Sequence, residues 1–134
     1  MNLIDGIGGV FLFSNNPKRL AEWYRDCLGI VAEGEDSECN SIYTTFESRD
    51  IENPEMKRTM AWAIMRTDQD ITDKPRTGQI NYRVKNMGEV LSHLKSNGVA
   101  IEKTAEYPPP YGNFAWVTDP DGNKIELWEP TESE

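Results

Sequence analysis

The sequence predicts an α+β domain built from two similar halves, and three observations carry that reading. A capped, one-sided helix follows a strand near each end of the chain. Landmarks in the first half recur about 70 residues later: Asn16 falls on Asn86, Leu20 on Val90, Tyr24 on Leu94 and Gly9 on Gln79. A glycine, Gly29 or Gly98, stops each helix where a left-handed residue is wanted.

The elements follow in order. Ile7 to Ser14 is apolar and rich in β-formers, so it reads as a strand. Asn16-Pro17 supplies an N-cap and a first helical residue that needs no N–H. Leu20, Trp23, Tyr24, Cys27 and Leu28 then repeat with helical spacing. Ile30 to Glu33, Ile42 to Phe46 and Met60 to Met65 read as strands, and the polar Ser48 to Arg58 and Thr67 to Thr77 read as loops. Gln79 to Val84 opens the second half as a strand. Asn86 followed by Glu89 is a capping-box pattern, and Met87, Val90, Leu91 and Leu94 form the buried face of the helix it starts. Strands are expected at Val99 to Thr104, Phe114 to Thr118 and Lys124 to Glu129. Asp119-Pro120-Asp121-Gly122 turns the last hairpin. One domain over 1–134 is expected, with its first module at about 5–66 and its second at about 78–130. Half a chain of this size cannot bury a sheet face alone. Two halves side by side would form a curved mixed sheet around a cleft, with helices on the outer face.

Composition narrows the function. Fourteen Lys and Arg against 23 Asp and Glu give a net charge of −9. Such a chain repels phosphate backbones and anionic lipid, which argues against nucleic-acid and membrane partners. No stretch approaches the length of a membrane span, and the start, Met1 to Gly6, lacks the pattern of a signal peptide. Cys27 and Cys39 make no disulfide framework, so a reduced, cytoplasmic location is expected. Phosphate-binding loops, dinucleotide glycine patterns, CxxC pairs and serine elbows are all missing.

The run Tyr111 to Pro130, with Asp119-Pro120-Asp121-Gly122-Asn123 leading to Ile125-Glu126-Leu127, resembles the closing hairpin of the vicinal oxygen chelate superfamily. That group contains glyoxalase I, bleomycin and fosfomycin resistance proteins and extradiol dioxygenases. Val10 to Pro17 and Trp23 to Gly29 are similar to its first strand and helix. The resemblance implies two βαβββ modules, a homodimer, and a cleft in which four strands each offer one His, Gln or Glu to a divalent metal. Carried over residue by residue, those positions are Gly9, a residue within Met60 to Met65, Gln79 and Glu126. The first has no side chain and the second stretch has no ligand, so no metal or other cofactor is expected in the usual form. His93, the only histidine, lies off the apolar helix face and reads as a surface residue.

Alternation sets Glu126 opposite Ile125 and Leu127, where it is the best candidate for a general base or for a contact to a cationic group. Gln79 shares a phase with Asn81 and Arg83, and Arg83 suits a carboxylate. Phe11 and Phe13 share the phase of Gly9, and with Trp62 they would give an apolar lining to the cleft. A protein binding a small organic molecule through Gln79, Arg83, Glu126, Phe11, Phe13 and Trp62 is therefore expected. Two rivals stand beside it. One is a metal-dependent lyase, isomerase or dioxygenase whose missing donors come from loop residues such as Glu47, Asp50 or Glu52. The other is an interaction protein with a degenerate pocket.

Overall fold

A computed structural model describes residues 3, 5–36, 40–72 and 78–131. Cys39 and the end of the second predicted loop lie outside them. The element order is β1 (Gly9–Ser14), α1 (Pro17–Leu28), β2 (Gly34–Glu35), β3 (Ser41–Arg49), β4 (Lys57–Arg66), β5 (Gln79–Arg83), α2 (Met87–Ser96), β6 (Lys103–Tyr107), β7 (Gly112–Thr118) and β8 (Lys124–Glu129). The fold is α+β with two βαβββ modules. Each module has one four-stranded mixed sheet, ordered β1-β4-β3-β2 in the first and β5-β8-β7-β6 in the second. In both, the first strand runs parallel to the last and the rest pair antiparallel.

The chain divides into two compact units. Residues 1–22 and 30–71 form one; residues 23–29 and 72–134 form the other, so α1 contributes to both. In the first unit Leu12, Ile42, Trp62 and Ile64 are buried, together with Pro17 and Leu20 of α1. Register shows why. Val10 pairs with Trp62, Leu12 with Ile64, and Thr44 and Ile42 with the same two β4 residues, so all share one face. The opposite face carries Phe11 and Phe13, 53% and 57% exposed. In the second unit Ala115, Val117, Ile125, Leu127, Met87 and Leu94 are buried. Tyr24 joins them: its hydroxyl donates to Asp119 Oδ2 at 2.7 Å, and burial pushes its phenol pKa far up.

Local signals hold where the chemistry is local. Asn86 Oδ1 accepts from the Glu89 N–H at 3.0 Å. Asp119 Oδ1 accepts from the Asp121 and Asn123 N–H groups, both at 2.9 Å, and Gly122 takes a φ of +87°. Several strand boundaries differ from the expected ones. Ile30 to Glu33 lies outside any strand, and β2 comes at Gly34–Glu35. β3 and β4 extend to Arg49 and back to Lys57, so their connection shrinks to a short loop. β6 occupies Lys103–Tyr107 rather than Val99 to Thr104, because its pairing with Gly112–Trp116 of β7 sets its position.

Candidate functional site

The second sheet has a buried face and a displayed one, and register assigns each residue to one of them. One row across β5, β8, β7 and β6 reads Asn81, Glu126, Trp116, Lys103. The next reads Arg83, Trp128, Phe114, Ala105. Gln79, Lys124 and Thr118 form the row before. The expected alternation of Glu126 against Ile125 and Leu127 is present: the two aliphatics are 1% and 0% exposed, and Glu126 is partly exposed.

Aromatic rings dominate the displayed face. Phe114 neighbours both Trp116 and Trp128, with centroids 6.0 and 6.2 Å away and planes tilted by only 15° and 19°. Tyr107 meets the edge of Phe114 at 5.6 Å. Two of these rings carry a cation: the Arg83 guanidinium lies 5.6 Å from the Trp128 ring centre, and Lys103 Nζ lies 5.2 Å from that of Trp116. Contacts of this kind contribute about 0.5–1 kcal/mol each at exposed positions. The Trp128 indole N–H donates to the Tyr111 carbonyl, which ties the proline-rich loop to the sheet.

Polar groups sit beside the rings. Glu126 Oε2 accepts from Asn81 Nδ2 at 3.1 Å and from Gln79 Nε2 at 3.4 Å. Among the described residues Oε1 has no partner. Lys124 is held by Glu102 and Thr118, and Thr118 in turn donates to Glu102, which keeps that carboxyl below its usual range. Gln79, Lys103, Trp116 and Lys124 line a shallow cavity of about 390 Å³.

Of the residues singled out from sequence, Gln79, Arg83 and Glu126 therefore share one face of the second unit. Phe11 and Phe13 are displayed on the first unit. Trp62 is not displayed with them: it is 2% exposed on the opposite face of that sheet, a core residue. Phe114, Trp116, Trp128 and Lys103 are the residues that sequence reasoning left unassigned. Trp128 was readable, since it follows Glu126 by two in one strand. The phase of Phe114 and Trp116 needed the β7–β8 register.

A divalent metal is what the fold's relatives would imply here, and the donor set fits one poorly. Glu126 is the only anionic donor in its row, and both flanking amides turn their N–H groups toward it. Gly9 offers nothing; a Cβ there would come within 2.9 Å of the Phe11 ring. The register partner of Gly9 on β4 is Ala61. Among the described residues, no three His, Cys, Asp or Glu side chains cluster as ligands. Two of the acidic residues considered as replacement donors, Glu47 and Asp50, have other partners. Glu47 lies within β3, not in a loop, and pairs with Lys57 at 3.4 Å. Asp50 accepts from Arg58 Nε at 2.8 Å and from the N–H groups of Glu52 and Asn53, so its carboxyl is held below the usual range. His93 is exposed, and its Nε2 donates to the Asp26 carbonyl at 2.7 Å.

The family profile of the Glyoxalase/Bleomycin resistance protein/Dioxygenase superfamily matches residues 6–127. The chain belongs to that superfamily. Solved structures of the same fold include TnmS3, an antibiotic binding protein from Streptomyces sp. CB03234, at 18% identity and a TM-score of 0.63, covering 98% of this chain and 100% of that one. A lactoylglutathione lyase from Agrobacterium tumefaciens is 13% identical with a TM-score of 0.63, covering 96% of each chain. A possible glyoxalase from Bacillus cereus is 16% identical with a TM-score of 0.61, covering 93% of this chain and 99% of that one. No curated protein matches the sequence. At these identities the structural neighbours establish the fold and leave the chemistry to the residues on the sheet.

Proposed function

We propose that this superfamily member binds a small, flat organic molecule on the displayed face of its second sheet, and does so without a metal. The observation that carries the reading is the stack of Trp128, Phe114 and Trp116, bordered by Glu126, Asn81 and Gln79. Ligand sites combine an apolar body with a few oriented polar groups, and this face has both. The antibiotic binding protein TnmS3 has the same fold, which supports such a use of the scaffold. Glu126, with one oxygen open, would accept a hydrogen bond from the ligand and fix its orientation. Among the described residues, the rival reading of a metal-dependent lyase, isomerase or dioxygenase finds no cluster of donors to support it.

Tryptophan fluorescence tests the proposal. Two of the four tryptophans, Trp116 and Trp128, lie in the stack. Titration with naphthalene-sized aromatics should quench the emission saturably, with the same midpoint in EDTA and in added Zn²⁺ or Mn²⁺. Phe114→Ala should weaken binding about tenfold or more, since a ring contact contributes about 0.5–1.5 kcal/mol beyond its buried area. Binding that vanishes in EDTA and returns with metal would overturn the metal-independent reading.

A further inference from the structure

Resting on that reading, we infer that the ligand carries an anionic group, a carboxylate or its like, and that Arg83 receives it. Arg83 lies over the Trp128 ring and Lys103 over the Trp116 ring, and both rings neighbour Phe114. A flat molecule that takes the indole face covered by Arg83 or Lys103 pushes that cation off it. A neutral molecule leaves that cation with nothing in exchange for the lost ring contact. A molecule bearing an anion gives the displaced guanidinium a paired, charge-assisted hydrogen bond instead, which is the stronger interaction.

The charges on this face agree. Among the described residues, neither Arg83 nor Lys103 has an ion-pair or hydrogen-bond partner, in a chain where acidic groups outnumber basic ones by 23 to 14. Lys124 and Glu102 neutralise each other. Among the described residues Glu126 is the remaining anion of these rows, and two amides already bond one of its oxygens. The overall charge of −9 acts from farther away and is screened over about 8 Å at physiological salt, so the local cations decide. Arg83 rather than Lys103 is the receiving group because its planar fork matches two carboxylate oxygens at once. Arg83 also stands one strand from Trp128 and two residues from Asn81, so one molecule could meet all three.

Three probes of one shape and different charge make the test: 2-naphthoate, 2-naphthylmethanol and 2-naphthylmethylammonium, each titrated by tryptophan quenching into the full-length protein. Naphthoate should bind about tenfold tighter than the alcohol, the increment of one exposed charge-assisted pair. That preference should shrink in 0.5 M NaCl and disappear in Arg83→Gln, while the alcohol binds Arg83→Gln at least as well as the wild type. Lys103→Gln should keep most of the preference. Equal binding of all three, lost in Phe114→Ala, would leave the aromatic site standing and overturn the inference. Preference for the ammonium probe, abolished by Glu126→Gln, would overturn it in favour of a cationic ligand at Glu126. If none of the probes binds, both the site and the inference fall. Thermal melts of each variant check that it is folded.

Discussion

Trp62 and Phe13 are both strand aromatics of the first unit, yet the sheet gives them opposite fates. Trp62 is 2% exposed, in register with Val10 and Thr44; Phe13 is 57% exposed, in register with Met65. Sequence could not separate them, because Met60 to Met65 is a nearly unbroken apolar run with no alternation to show its phase. Where a polar residue interrupts the pattern, as Glu126 does between Ile125 and Leu127, the phase is legible and the structure agrees. The difference has a measurable consequence. Trp62→Ala should cost about 3–5 kcal/mol of unfolding free energy, the range for a truncated buried aromatic. Phe13→Ser, at a displayed position, should stay within about 0.5 kcal/mol of the wild type. Urea unfolding at neutral pH separates the two, and equal losses would contradict the register.

At the scale of elements, the legible parts are those whose chemistry is contained in four or five residues. The Asn86 cap and the Asp119–Gly122 turn are such parts, and both form as expected. β6 is not. Val99 to Thr104 has the better strand composition, but the strand forms where β7 offers partners, from Lys103 to Tyr107. Pairing across a loop decided it, and no local pattern encodes that. The aromatic stack was hidden in the same way, since Phe114 and Trp116 acquire their face only through β8. Two glycines near the ends of β7 distinguish turn geometry from close packing. Gly122 has φ +87°, and a Cβ added there would meet nothing within 4 Å, so Gly122→Ala should cost only the left-handed penalty of about 1–2 kcal/mol. Gly112 has φ +85°, and a Cβ there would lie 2.2 Å from the Glu129 carbonyl oxygen. Backbone cannot yield as a side chain can. Gly112→Ala should therefore cost clearly more than Gly122→Ala, and a thermal melt of each variant makes the comparison.

For the molecule as a whole, the repeat read from caps and glycine stops is real in topology and unequal in chemistry. Both sheets place their first strand parallel to their last, but among the described residues only the second gathers a carboxylate, two amides and two ring-stacked cations beside its aromatics. The acidic surface bears on stability as well as on ligands. Several carboxyls are held below their ordinary range by the folded state, Asp50, Glu102 and Glu129 among them. Glu129 is the most informative. The Met87 N–H at the start of α2 is the main cause of its depression, and Asn113 adds to it. A negative charge there also meets the positive end of the helix dipole. Because its folded pKa lies below the unfolded value of 4.5, the stability it provides is complete above that value. That contribution is lost as pH falls through the folded pKa. Glu129→Gln should thus melt lower than the wild type at pH 6, and the gap should close as the pH is taken down toward 3. Melting temperatures at half-unit steps from pH 6 to 3 give the answer: a gap that stays constant would mean that Glu129 acts through shape rather than charge.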